Sequence, residues 1–170
     1  MSMGFSADDD FTDAATMRGR DWPCLRQFVV ILENRVGSLN DLLKRLEQHD
    51  LRIVALSMVD TVEVALARVM VDQFERAKEL FEMSGFTYFE HDVIGVELPE
   101  SEQPFASVCT ALIHGEINVN YMYPLMYRRN GRGAVAIHVS DIDTAMTVLK
   151  DKGHTLITEN DLHLDDNHFG

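Results

Sequence analysis

The stretch ENRVGSL, Glu33 to Leu39, joins an apolar run, residues 28–32, to a leucine-rich run of helical period, residues 42–46. Gly37 is its single glycine, whereas loops that wrap di- or triphosphates need several glycines or a Gly-Lys-Ser/Thr ending. Ser38 is a predicted helix N-cap, because an aspartate follows three residues later in a capping-box pattern. A helix that begins in this way suits one small anion, although a plain capped helix explains the same pattern.

The composition predicts a globular protein and excludes several classes of partner. The chain has 170 residues, is 46% hydrophobic and carries a formal net charge of −13. This charge repels nucleic acid and anionic membranes. Cys24 and Cys109 lack a CxxC spacing, and we find neither a signal peptide nor an apolar run of membrane-spanning length. We therefore expect a cytoplasmic protein with reduced thiols and no cofactor.

The apolar pattern of the chain repeats. A shift of 66 residues, the difference between Leu51 and Ile117, places the first strand and helix on a second copy. After the middle hairpin the shift becomes 68, which places Gly85 on Gly153. The extra residues fall at Asn130-Gly131, a strong β-hairpin signal. Each half therefore has the order strand, helix, strand, strand, helix, strand.

This order closes as a four-stranded antiparallel sheet with both helices on one face. We predict an α+β fold of two ferredoxin-like βαββαβ modules with antiparallel sheets, side by side. The first module covers residues 26–92 and the second covers residues 93–158. Residues 1–25 form an acidic arm that we expect to be disordered, and residues 159–170 form an acidic tail. The histidines of the tail could ligate a metal, but a frayed terminus does not hold ligands in place.

Both faces of each predicted sheet are apolar, yet two helices can cover only one face. The excess apolar side chains on the strands include Val54, Leu56, Met58, Met122 and Met126. Another copy of the chain is the economical cover for such faces. We therefore expect a homodimer formed through the open sheet faces.

At this point the sequence resembles a pair of ACT domains, small regulatory modules that bind amino acids. The resemblance covers residues 26–158 and rests on the doubled βαββαβ order, the turn Glu33 to Leu39, and the segments Val93 to Pro99 and Ile117 to Tyr123. It implies that the modules pair side by side through their second strands. A small amino acid would then lie between the first turn of one module and the second strand of the other.

The resemblance implies a set of ligand-binding residues on the first turn and the facing strand. The set comprises Asn34, Arg35, Val36, Gly37, Ser38, Leu39, Asn118, Asn120 and Tyr121. The helix start would bind the carboxylate, Asn34 would accept the ammonium group, and the amides of Asn118 and Asn120 offer donors and acceptors. A solvated edge strand explains these two asparagines equally well, and Tyr121 also fits a core position.

The second turn departs from this pattern. It has Gln103 and Pro104 where the first turn has Gly37 and Ser38, and two glutamates, Glu100 and Glu102, flank them. Proline removes an NH donor, and the glutamates repel a carboxylate. We therefore expect one amino-acid site per chain.

We predict a regulatory protein that binds an amino acid and has no catalytic activity of its own. One alternative is a regulatory subunit that acts mainly by protein–protein interaction on an amino-acid biosynthetic enzyme such as acetolactate synthase. A less favoured alternative is a metal-dependent lyase or dioxygenase, whose candidate ligands are His91, Glu97 and His138. That alternative requires the three side chains to converge on one ion.

Overall fold

The computed structural model describes residues 24–164 of the chain. The predictions for residues 1–23 and 165–170 lie outside this range. The described chain forms two βαββαβ modules, which confirms the predicted fold class. None of its helices is long and apolar enough to cross a membrane.

The strands and helices alternate as the repeat predicts. The first module comprises β1 (Leu25–Glu33), α1 (Ser38–Gln48), β2 (Ile53–Asp60), β3 (Val64–Val71), α2 (Phe74–Ser84) and the first half of β4 (Thr87–Glu97). The second comprises the rest of β4, α3 (Pro104–His114), β5 (Val119–Arg129), β6 (Arg132–Val139), α4 (Ile142–Asp151) and β7 (Leu156–Ile157). A short helix, α5 (Glu159–Leu164), follows β7.

One strand, β4, belongs to both modules. Its first half pairs antiparallel with β1, from Thr87 opposite Ile31 to Val93 opposite Leu25. Its second half pairs with β6 and β7. The resulting strand order is β2-β3-β1-β4-β6-β5, so β2 and β5 lie at its two ends. The modules are thus joined through β4, and no ladder within residues 24–164 pairs their second strands as the resemblance implied.

Each module packs its two helices on one face of its sheet. In the first module Phe28 on β1 stacks on Phe74 and meets Phe81 edge to face, with ring centroids 4.4 and 4.8 Å apart. In the second module Ile94 and Ile137 are fully buried with residues of α3 and α4. The strand side chains in these helix-side cores come from alternate residues, because successive side chains of a strand point to opposite faces of the sheet.

The two faces without helices stack on each other within one chain. Leu25, Val54 and Met70 of the first module share a buried cluster with Tyr123 and Leu125 of the second. We call this contact the inter-sheet seam. Since the seam covers these faces, the prediction that they are open in a single chain is wrong.

The residues expected on the open faces divide into two groups. Val54 is buried in the seam, and Met122 packs against the helix-side core of the second module. Leu56, Met58 and Met126 remain 37%, 41% and 75% exposed on the end strands. The sequence showed correctly that both faces are apolar, but it did not show that each module covers the other.

Residues 159–164, which the sequence assigned to an acidic tail, instead form α5. Arg26 on β1 binds Glu159 through Nε and Oε1 at 2.7 Å, and its guanidinium lies 3.9 Å from the centroid of the Phe74 ring. Leu162 is buried in the seam, and its carbonyl accepts a hydrogen bond from Arg52 Nη2 at 3.1 Å. An apolar contact and an ion pair therefore hold this segment on the first module.

We expect Gly95→Ala to destabilise the protein, because β4 passes close to β1 and β7 at this residue. A Cβ atom on Gly95 would lie 2.6 Å from Leu25 Cδ1 and 3.1 Å from Ile157 Cβ. Overpacking of this kind costs about 1–3 kcal/mol of unfolding free energy, measurable by urea denaturation. Gly133→Ala is the control, since its Cβ would meet only Leu98 Cδ1, at 3.8 Å. Equal stability of the two variants would contradict this account of the shared strand.

Candidate functional site

A cleft of about 600 Å³ lies where the turn after β1 meets the start of β3 and the turn before β4. Its lining includes Glu33, Asn34, Arg35, Ser38, Asp41 and Glu63. Three of the predicted turn residues, Asn34, Arg35 and Ser38, therefore contribute to one concave surface. Gly37 forms the adjacent helix cap.

The first turn of α1 differs in one detail from the predicted cap. Gly37, at φ +94°, is the N-cap, and Ser38 is already the first helical residue. This backbone angle favours glycine, which has no Cβ to clash. The Ser38 side chain consequently makes no capping bond, and the prediction that Ser38 is the N-cap is wrong.

The Ser38 hydroxyl is buried without a partner. The residue is only 7% exposed, and its Oγ has no hydrogen-bond partner among the described residues. The backbone NH of Ser38 donates to the Arg35 carbonyl at 3.3 Å. The next two NH groups, of Leu39 and Asn40, have no intrahelical acceptor, because helix geometry leaves the first turn unpaired. The orphaned hydroxyl on the cleft is thus followed in sequence by two NH donors without an intrahelical acceptor.

The charged groups at the cleft are mostly acidic. Arg35 donates to Asp41 Oδ2 at 3.1 Å and to Glu33 Oε2 at 3.0 Å, and these bonds raise the pKa of its guanidinium. Glu63 adds a further carboxylate. Since Arg35 is already bound to two carboxylates, the surroundings favour a ligand that brings both a cation and an anion.

The remaining predicted ligand residues lie elsewhere. Val36 is fully exposed, and Leu39 packs partly against the core of the first module. Asn118 and Asn120 are exposed near the start of β5, and neither they nor Tyr121 line the cleft. A single chain therefore does not bring the two halves of the predicted site together.

Tyr121 belongs to a polar cluster at one end of the seam. Gln27, fully buried on β1, donates through Nε2 to the Tyr121 hydroxyl and accepts from the Tyr123 hydroxyl through Oε1. Burial raises the pKa of both tyrosines. Sequence reasoning missed Gln27, although a polar residue among the apolar residues of a buried strand is a signal for such a contact.

Two histidines and an arginine surround the Tyr121 ring. His138 stacks on it with centroids 4.7 Å apart, and the Arg68 guanidinium lies 3.7 Å from its centroid. His91 Nδ1 lies 3.5 Å from the Tyr121 hydroxyl, and Asn120 Nδ2 lies 3.0 Å from His138 Nδ1. We call Arg68, His91, Asn120, Tyr121 and His138 the polar mouth of the seam.

Only two of the three candidate metal ligands lie close together in the structure. His91 and His138 do converge, with ring centroids 5.1 Å apart. Glu97 follows His91 by six residues on the same strand, about 20 Å along it at the usual rise, and faces Arg132 at 3.6 Å. No three His, Cys, Asp or Glu side chains within the described range are placed to hold a metal. The proposed triad is therefore not formed.

The second turn matches its sequence description. Gln103 is the N-cap of α3 without a side-chain cap bond, and Pro104 occupies the first turn. A separate groove of about 520 Å³ lies nearby, between Leu98, Phe105 and β5. This groove is mainly apolar, so it differs in character from the cleft at α1.

The doubled βαββαβ order, with two helices on one face of each antiparallel sheet, defines a pair of ferredoxin-like modules. The chain belongs to the ACT domain pair family, which matches residues 24–164. Protein BT0572 from Bacteroides thetaiotaomicron has a similar structure, with a TM-score of 0.75, 25% identity, and coverage of 82% of this chain and 96% of that chain. The ligand-free regulatory subunit of aspartate kinase from Thermus thermophilus has a TM-score of 0.51 at 11% identity, with 79% and 96% coverage. No curated protein matches the chain.

We expect Gln27→Leu to destabilise the seam, because it leaves the buried Tyr123 hydroxyl without its acceptor. An unsatisfied buried polar group costs about 1–3 kcal/mol of unfolding free energy. The same substitution in a Tyr121→Phe/Tyr123→Phe background should cost less, since no hydroxyl remains to be satisfied. Denaturation of the four proteins forms a double-mutant cycle, and a coupling energy of zero would contradict the assignment.

We expect acid to destabilise the protein in part through His138. Burial, then His91 and Arg68, lower its pKa below the ordinary 6.5. The unfolded chain therefore binds more protons, so stability is present above pH 6.5 and is lost as pH falls below it. His138→Gln should flatten this loss in urea titrations, whereas His114→Gln, on the exposed end of α3, should not. A wild-type pH slope in His138→Gln would contradict the expectation.

Proposed function

We propose that this ACT domain pair is a regulatory protein without catalytic activity, and that it binds one small amino acid per chain at the start of α1. The observation that carries the proposal is the buried, unpartnered Ser38 hydroxyl on the cleft. Burying a hydroxyl without a partner costs free energy, and a ligand acceptor would remove that cost. The unpaired NH groups beside it supply further donors to the same anion.

The charges of the cleft support a zwitterionic ligand. Its carboxylate would accept from the NH groups of Leu39 and Asn40 and from Ser38 Oγ. Its ammonium would face Glu33, Glu63 and the Asn34 amide oxygen, which lie on the same lining. An acidic side chain on the ligand would meet these carboxylates, so we expect neutral amino acids to bind better than aspartate or glutamate.

We also propose that a second copy of the chain completes the site. Asn118 is exposed just before β5 and Asn120 is exposed on it, and β5 lies at one end of the strand order, where a strand has an unpaired edge. The same strand exposes Met126. A homodimer formed through the β5 edge would bury apolar surface and bring the asparagines towards the partner's cleft. Tyr121 would remain in the seam, because its hydroxyl is already bound to Gln27.

Ser38→Ala should weaken amino-acid binding without destabilising the free protein, since it removes a hydroxyl that has no partner there. A ligand at 100 times its dissociation constant stabilises the wild type by about 2.7 kcal/mol, or several degrees in Tm. A thermal-shift screen of the twenty amino acids identifies the ligand, and calorimetry then measures its Kd. We expect the Kd of Ser38→Ala to be at least ten times that of the wild type. The two control variants, Ser140→Ala and Gln103→Val, should have the wild-type Kd.

A wild-type Kd in Ser38→Ala, or a second amino-acid site per chain that Gln103→Val removes, would contradict this assignment. If no amino acid shifts the Tm at millimolar concentration, the alternative gains support: a subunit that acts mainly by protein–protein interaction on a biosynthetic enzyme. The likeness to the aspartate kinase regulatory subunit, at 11% identity, concerns the fold alone and does not decide between the two.

Light scattering of the full chain at micromolar concentration should give a dimer. Met126→Asp should shift the mass towards the monomer, because it places a charge on the apolar part of the β5 edge. Met83→Asp is the matched control on α2, where methionine is equally exposed but away from β5. A monomeric wild type, or a dimer unaffected by Met126→Asp, would overturn the proposed interface.

A further inference from the structure

The polar mouth contains a positive charge that no carboxylate balances. The protein has 28 acidic residues and only 15 lysines and arginines. Even so, no Asp or Glu within the described range lies at salt-bridge distance from Arg68, whose guanidinium lies over the Tyr121 ring. The residue is half-buried, so solvent screens its charge less than on an open surface. An unpaired cation in this position favours an anionic partner.

The neighbouring side chains are also donors or potential cations. His91 on β4 and His138 on β6 flank the Tyr121 side chain, and each imidazole has a ring NH that can donate a hydrogen bond. Asn120 donates its amide to His138 Nδ1, which leaves the ring proton of His138 on Nε2. The other groups of the seam at this level are the neutral Gln27 and Tyr123. The Tyr121 side chain is therefore contacted by one guanidinium and two imidazoles.

We propose that the polar mouth is a second ligand site, which binds one small oxyanion, a carboxylate or a phosphate, between the two modules. Arg68 supplies the permanent charge and its fork of NH donors, while His91 and His138 supply further donors. Arg68 and His91 belong to the first module and His138 to the second, so the anion bridges the two modules. This site is separate from the cleft at α1, whose lining contains none of these residues.

The same groups argue against a metal ion at this position. Two imidazoles at this spacing could ligate a divalent cation, but a guanidinium beside them repels it. An anion is attracted by the Arg68 charge and accepts from the imidazole NH groups, and it favours the protonated form of His138, whose pKa is lowered by burial and by the neighbouring His91 and Arg68. Binding should therefore strengthen as pH falls, by up to tenfold per pH unit for each proton taken up.

Titration calorimetry of the full chain with inorganic phosphate, and separately with acetate, tests the site near pH 6.5. Binding of phosphate alone identifies a phosphate ligand, whereas binding of acetate identifies a carboxylate. Comparison of buffers with different ionisation enthalpies measures proton uptake, which a merely structural cluster would not produce. We expect affinity to rise as the pH is lowered from about 7.5 to about 6.5.

Arg68→Gln should weaken anion binding at least tenfold, and Arg76→Gln, an exposed arginine on α2, should leave it unchanged. Both variants lose one positive charge, so the comparison separates a local site from net charge. Arg68→Lys should retain part of the affinity and guards against a folding defect in Arg68→Gln. The Tm shift caused by an amino acid at α1 should persist in Arg68→Gln. Failure of both anions to bind the wild type, or wild-type affinity in Arg68→Gln, would overturn the proposal.

Discussion

The constraint on which the molecule depends is the continuity of β4 through both modules. Because one strand ends the first βαββαβ unit and begins the second, the two sheets cannot move apart as independent domains. Their uncovered faces are apolar, so stacking those faces removes Leu25, Val93 and Tyr123 from water. Gly95 permits this approach, since any Cβ there would meet Leu25. The shared strand thus creates the inter-sheet seam.

The seam changes in character along its length. Towards Leu125 and Ile157 it is closed and apolar, and α5 adds Leu162 to the cluster. Towards Tyr121 it becomes polar and half-buried, and the buried Gln27 amide satisfies two tyrosine hydroxyls at the transition. Buried polar groups that are satisfied in this way add geometric specificity to an apolar contact. The same transition leaves a basic mouth between the modules.

The structure at the start of α1 is determined by helix-end hydrogen bonding and not by the inter-sheet seam. Helix geometry leaves backbone NH donors unpaired in the first turn of α1. Gly37, in the left-handed region, is the N-cap residue, and it has no side chain that could accept from these donors. Ser38 Oγ consequently has no hydrogen-bond partner within residues 24–164. The two sites therefore offer anions different environments: an orphaned hydroxyl with backbone dipoles at α1, and charged side chains at the seam.

The doubled βαββαβ order could be predicted from the sequence, since apolar periodicity and the Asn130-Gly131 turn are local features. The sequence also indicated the turn at Gly37 and the apolar character of both sheet faces. Long-range packing, which local patterns do not record, places those faces against each other and puts Tyr121 in the seam, away from the turn. Likewise, His91 and His138 converge while Glu97 does not. The physical reason is that periodicity records which side chains avoid water, whereas the path of β4 determines which surface they meet.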